Sequence, residues 1–171
     1  MTKLPQLYCD MDGVLCDFKS QAQKATGMSM PQWIKEPGKK FKTIRDKWKP
    51  IKDYPRFWET MPWQPGGKQL WNYISKFNPD ILSAYVEKVT DPNCIPGKTK
   101  WARTNLGSRP KLNLVKRIQK QDYAQTGYKS PAVLIDDYEK NIRQFEARGG
   151  IGILHTSTPK TIAKLKSLGY K

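Results

Sequence analysis

The chain has 171 residues, 37 % hydrophobic and 27 % charged, enough for one domain with a core of its own and a small insertion. No run approaches the roughly 20 apolar residues that span a bilayer, and no apolar leader core precedes "LYCDMDG", so neither a membrane span nor a signal peptide is expected. Thirty-one Lys and Arg against 15 Asp and Glu give a formal charge of +16, the mark of a protein drawn to phosphates and other polyanions or of a basic solvated surface.

The first apolar run is "QLYCDM" (6–11), read as a strand. It delivers Asp10 and Asp12 to its carboxyl end, just before Gly13. The stretch from 18 to 65 then breaks any regular rhythm. It carries Trp33, Trp48, Trp58 and Trp63, several prolines and a basic run, and it is too long for a simple crossover. It reads as a small, mainly helical insertion over the end of the first strand, a candidate cap. The remaining 1–17 and 66–171 form the core.

A helix is expected over 66–77, a strand at "DILSA" (80–84), a helix through "WARTNLG" ending at Gly107, and a strand at "KLNLV" (111–115). Then come a helix over 114–127, a strand at "AVLIDD" (132–137), a helix over 138–150 with a Gly-Gly stop, and a strand at "GIGILH" (150–155). Several strands are apolar without alternation, as in parallel sheets covered on both faces. The fold class is therefore α/β, a Rossmann-like open parallel sheet, and such sheets bind ligands at the carboxyl ends of their strands.

Two acids two apart on an extended segment point the same way. Asp136 and Asp137 end a second strand in the same manner, and neighbouring parallel strands bring both pairs to one edge. Four carboxylates there need a cation among them, and oxygen ligands favour magnesium. Cys9, Cys16 and Cys94 are odd in number and lack a C-x-x-C pair, so neither zinc nor a disulfide framework is indicated, and a reducing cytoplasm is the expected location. A lone D-x-D-G also occurs in calcium loops and glycosyltransferases. An EF-hand would need Glu where Gln21 stands, and coincidental surface acids would not both follow apolar strands.

"DMDGVL" resembles the first motif of the haloacid dehalogenase-like (HAD) hydrolases, "DILSA" their second and "VLIDD" their fourth. Together with "FWETMPWQPGG", the chain is most similar within that superfamily to the 5'(3')-deoxyribonucleotidases and their phage-encoded relatives. The resemblance implies a magnesium-dependent phosphomonoesterase with a Rossmann-like core. In it Asp10 is the nucleophile that forms an aspartyl-phosphate, and Asp12 the general acid and base. Magnesium is held by Asp10, the Asp12 backbone carbonyl, Asp136 and Asp137. Gly13, Ser83 and Ala84 bind phosphate, and Phe18, Phe57 and Trp58 meet the base. The alternative for each ring is to build the cap's own core, and Phe18 is the first choice for base contact.

The family's third motif is one lysine upstream of "VLIDD". "KQDYA" favours Lys120, with Lys129 next and Lys116 behind. "PGKTK" (96–100) hints at a phosphate loop, but Walker A requires Gly where Pro92 stands, which leaves Lys98 and Lys100 as the basic entry to the helix that follows. His155, the only histidine, reads as structural, and Cys9 and Cys16 as core filling.

The charge is concentrated. Residues 35–52 hold eight Lys or Arg and two acids, and 98–120 hold eight and none. A nucleoside monophosphate is the expected substrate. The basic stretches keep open a polynucleotide-end phosphatase, or a nucleic-acid-binding protein on a HAD fold without catalysis.

Overall fold

The computed structural model describes residues 3–35 and 41–171 of the chain. Five strands form one sheet: β1 (Leu7–Cys9), β2 (Asp80–Ala84), β3 (Leu112–Val115), β6 (Val133–Asp136) and β7 (Ile151–Leu154). They run parallel in the order β3-β2-β1-β6-β7. The two-residue strands β4 (Gln125–Thr126) and β5 (Ser130–Pro131) make a separate antiparallel pair. The expected α/β class and parallel sheet are what the chain forms.

Alternate residues of each strand feed opposite faces. Leu7, Cys9, Ile81, Val133 and Ile135 join one buried cluster with Leu70 and Ile74 of α4 (Gly67–Ile74) and Leu165 of α7 (Thr158–Ser167). Tyr8, Leu82 and Leu134 turn the other way, onto Ile142 and Phe145 of α6 (Glu139–Ala147). Both faces are covered, which is why these strands lack polar alternation. Order along the sheet reverses on the two sides of β1, so the crevice between the ends of β1 and β6 is the switch point where open sheets hold ligands.

Between β1 and α4 the chain makes α1 (Phe18–Thr26), α2 (Met30–Lys35) and α3 (Ile44–Asp53). Asp17 caps α1 by accepting from the Ser20 amide, and Thr43 caps α3 in the same way at Asp46. Trp33, Ile51, Phe57 and Trp58 from this stretch share a single apolar cluster with the sheet residues Leu7 and Ile81. Among the described residues no helix is long and apolar enough to cross a membrane.

Two expectations need correction. The helix read over 114–127 is a 3-10 helix at Arg117–Tyr123 followed by the β4–β5 hairpin. In a 3-10 turn, side chains three apart line up. Here Lys120 is buried, Tyr123 packs edge-on against Tyr8 at 5.5 Å, and Arg117 binds Asn141 and Gln144, while apolar Ile118 stays outside. The helix expected to begin near Trp101 starts earlier, as α5 (Cys94–Leu106). "PGKTK" thus lies in its first turns, where a proline lacks no needed hydrogen bond.

Candidate active site

β1 ends at Cys9, and Asp10 continues its ladder only by donating its N–H to the Ile135 carbonyl at 2.9 Å. The chain then turns sharply: the Met11 carbonyl accepts from the amides of Val14, Leu15 and Cys16. Gly13 makes the turn possible. Its φ is +80°, and an added Cβ would lie 2.0 Å from Asp137 Oδ2. Its N–H is engaged inside the turn by the Cys16 carbonyl at 2.9 Å, so what Gly13 gives the site is close approach and not a free donor.

Asp10, Asp136 and Asp137 converge, with one carboxylate oxygen of each lying within 4.8 Å of the others. Asp10 is 6 % exposed and Asp136 fully buried, while Asp137 stands at the exposed rim. Lys120 lies between the first two, its Nζ 3.1 Å from Asp10 Oδ1 and 2.7 Å from Asp136 Oδ2. Asp136 also accepts from the Tyr138 amide and the Asn141 side chain. Asp10 Oδ1 takes the Met11 amide as well, while among the described residues Oδ2 accepts no hydrogen bond. Burial first, then the charge of Asp10, pushes the Asp136 carboxyl up to about 6. Desolvation and the two neighbouring carboxylates push Asp137 upward too. Lys120 ends above its ordinary value: burial works against its charge, but Asp10 and Asp136 outweigh it.

Asp12 goes elsewhere. Its Oδ2 accepts from Lys98 at 2.8 Å, and the same ammonium donates to Ser83 Oγ at 3.1 Å and to the Ala84 carbonyl at 2.7 Å. Lys98 is 1 % exposed and lies 5.4 Å from the Trp58 ring centroid. Its three donors are all used. It ties the turn after β1 to the end of β2. Ser83 is fully buried, and it and Ala84 face the ammonium directly. Among the described residues Asp12 Oδ1 is buried without a partner. Burial raises the Asp12 carboxyl above its ordinary value in spite of the pull of Lys98.

Lys98 is the residue that sequence reasoning set aside. The buried residues of α5 include Cys94, Lys98, Trp101 and Ala102, so a lysine stood on the inward stripe of its helix. That misplaced cation was the available signal. By contrast Lys129 is exposed in a turn with φ of 58°, and Lys116 caps the 3-10 helix, so Lys120 is the lysine brought to Asp10.

The three rings meet one another. Phe18 stacks on Trp58 at 5.7 Å and meets Phe57 edge-on at 5.7 Å. Phe57 and Trp58 are each 2 % exposed and belong to the core cluster, with the Trp58 indole N–H given to Asp91. Only Phe18 keeps part of its ring accessible, so the other two act as its backing. His155 is buried and its Nδ1 lies 2.7 Å from Thr161 Oγ1, a structural contact. All three cysteines are free and buried.

The donor set suits a hard divalent cation. Four carboxylates against two ammoniums leave two negative charges, three of the carboxylates are grouped, and one buried oxygen is orphaned. The fold and the acidic group define a Rossmann-like α/β protein with three aspartates at its switch point that could hold a metal ion. A hydrolase from Streptococcus pneumoniae TIGR4 shares this fold: its crystal structure superposes with a TM-score of 0.58 at 15 % identity, covering 98 % of each chain. That likeness is one of fold. No protein-family model matches the sequence, and no curated protein does.

Proposed function

We propose that the protein is a magnesium-dependent phosphomonoesterase of the haloacid dehalogenase-like type, acting on nucleotides, with deoxynucleoside monophosphates as the nearest substrate class. The observation that carries this reading is the pairing of two lysine-neutralised acidic groups at one sheet edge. Asp10 with Asp136 is held by Lys120, and Asp12 beside Ser83 is held by Lys98.

Asp10 Oδ2 attacks phosphorus, and its other oxygen stays fixed by the Met11 amide and Lys120. The ester P–O bond breaks as Asp12 passes a proton to the leaving oxygen, leaving an aspartyl-phosphate on Asp10. Asp12 then takes a proton from water as that water attacks the phosphorus, which releases phosphate and restores Asp10. A carboxyl raised by burial suits both duties. Ser83 Oγ accepts from Lys98, which leaves its hydroxyl hydrogen to give to a phosphoryl oxygen. Asp10, Asp136, Asp137 and the Asp12 backbone carbonyl would hold magnesium, which supplies charge neutralisation between a carboxylate nucleophile and a phosphate dianion. Residues 18–65 serve as the cap, and Phe18 as the ring that meets the base.

The test is phosphate release from deoxynucleoside monophosphates with magnesium. Replacing Asp10 by Asn is expected to lower the rate by roughly 10³-fold or more, the scale on which loss of a nucleophile acts. Full activity in that variant refutes the reading.

A further inference from the structure

A second feature of the same region concerns what lies beyond the terminal phosphate. The helix α3 carries Arg45, Trp48, Lys49 and Lys52 at positions i, i+3, i+4 and i+7, which places them on one face. A helix buried against a protein core fills that pattern with apolar side chains. Here the four residues line a cleft of about 480 Å³, whose opposite wall is Glu87, Lys88, Val89 and Thr90. Lys52 and Asp53 also line a second cleft of about 360 Å³, bounded by Tyr54, Arg56, Trp58, Gly97 and Lys100, so the two adjoin at the end of α3.

Both clefts lie close to the candidate site along the chain: the wall at 87–90 begins three residues after Ala84, and Gly97, which lines the second cleft, immediately precedes Lys98.

The charge of the trough they form is net positive, six Lys or Arg against three acids. Asp53 is paired with Lys49 and Glu59 with Arg56 and Lys100, while Glu87 keeps its charge and accepts the Arg117 amide. Among the described residues Arg45, Lys52 and Lys88 have no acidic partner, and all three are exposed. The row from Arg45 to Lys52 covers about 10 Å of helix, at 1.5 Å per residue. A mononucleotide brings one phosphate, and that phosphate belongs at Asp10. A row of cations outside the phosphate site, with the half-buried Trp48 ring among them, matches a chain of phosphates and bases.

We infer that the trough between α3 and the β2–α5 connection receives a single-stranded polynucleotide whose terminal phosphate enters the Asp10 site. This rests on the phosphatase reading and moves its substrate from mononucleotides to nucleic-acid ends. Residues 36–40, part of the same basic stretch, lie outside the described residues and form no part of the inference.

The test uses the full chain and a variant with Arg45, Lys52 and Lys88 each changed to Gln. Binding of a fluorescent ten-nucleotide single strand is followed by anisotropy between 50 and 200 mM salt. Hydrolysis of p-nitrophenyl phosphate is measured alongside, and a thermal melt confirms that the variant is folded. The parent is expected to bind with a steep salt dependence. The variant should bind at least tenfold more weakly, with a log–log salt slope shallower by about two, at roughly 0.7 per lost phosphate contact. Its hydrolysis of the small substrate should match the parent's. Equal binding by the folded variant overturns the inference, as does equal competition by polyglutamate. Release from monophosphates without strand binding overturns it alone. Absence of all phosphate release overturns the phosphatase reading and the inference's end-processing role, while the anisotropy still decides whether the trough holds a strand.

Discussion

Replacing Lys98 by Met removes an ammonium and keeps most of the apolar stem. Three acceptors then lose their donor: Asp12 Oδ2 at 2.8 Å, Ser83 Oγ at 3.1 Å and the Ala84 carbonyl at 2.7 Å. An orphaned neutral acceptor costs about 1–3 kcal/mol. An orphaned buried charge costs about 3–5 kcal/mol. The Asp12 side chain is 30 % exposed and water can reach part of it, so the charge contribution falls below that range. A net loss of about 3 kcal/mol follows, which for a chain of this size lowers Tm by roughly 6–12 °C. Urea unfolding of the parent, Lys98→Met, Asp12→Asn and the double variant separates the parts. Each single change strands one charge, and the double strands none, so a favourable coupling of about 2 kcal/mol is expected. Acid should help the Met variant. Without its counter-ion the Asp12 carboxyl rises further, the folded state holds the proton more tightly than the unfolded one, and the deficit narrows as pH falls. Additive single changes, or a Met variant within about 0.5 kcal/mol of the parent, would refute the claim that Lys98 is the counter-ion of Asp12.

Gly13→Ala should cost at least about 2 kcal/mol, because φ of +80° disfavours a side chain and the new Cβ would displace Asp137; urea unfolding gives the loss, and a stable variant contradicts it. Magnesium should raise Tm in the parent, by about 2.7 kcal/mol of stability at a hundredfold excess over Kd, and Asp136→Asn should lose most of that gain in melts run with and without chelator. Burial holds the His155 imidazole below its ordinary 6.5. Below that pH the unfolded chain takes up a proton that the folded chain refuses, so the parent should lose more stability between pH 7.5 and 5.5 than His155→Gln, and equal slopes would count against it.

Much of this architecture is written locally. Strands buried on both faces leave unbroken apolar runs such as "VLID", and acids placed just after two of them name the edge where ligands gather. What the sequence hides is set by distant partners. Lys98 and Lys129 look alike in a chain with 31 basic residues. One is buried because α5 turns it toward Asp12, and the other lies in an exposed turn. The segment 117–123 misleads for a related reason: its period is three, and the residue it buries is a cation, Lys120. Phe57 and Trp58 show the converse, since aromatic character alone does not distinguish a ring that meets a ligand from one that supports it.

The apolar cluster that passes without a break from Leu7 and Ile81 into Trp33, Ile51 and Phe57 also bears on how the molecule can change over generations. An insertion with its own core can be exchanged like a cassette, whereas one that borrows its neighbour's core must co-vary with it, side chain by side chain. Gln21 ties the insertion to itself by donating to the Phe57 carbonyl and to Thr60. Because Trp33, Ile51 and Phe57 belong to the same cluster as the sheet residues, the two parts are expected to melt together as one cooperative unit. Exposed positions of α3 such as Arg45 and Lys52 stand outside that shared interior and can change without disturbing it.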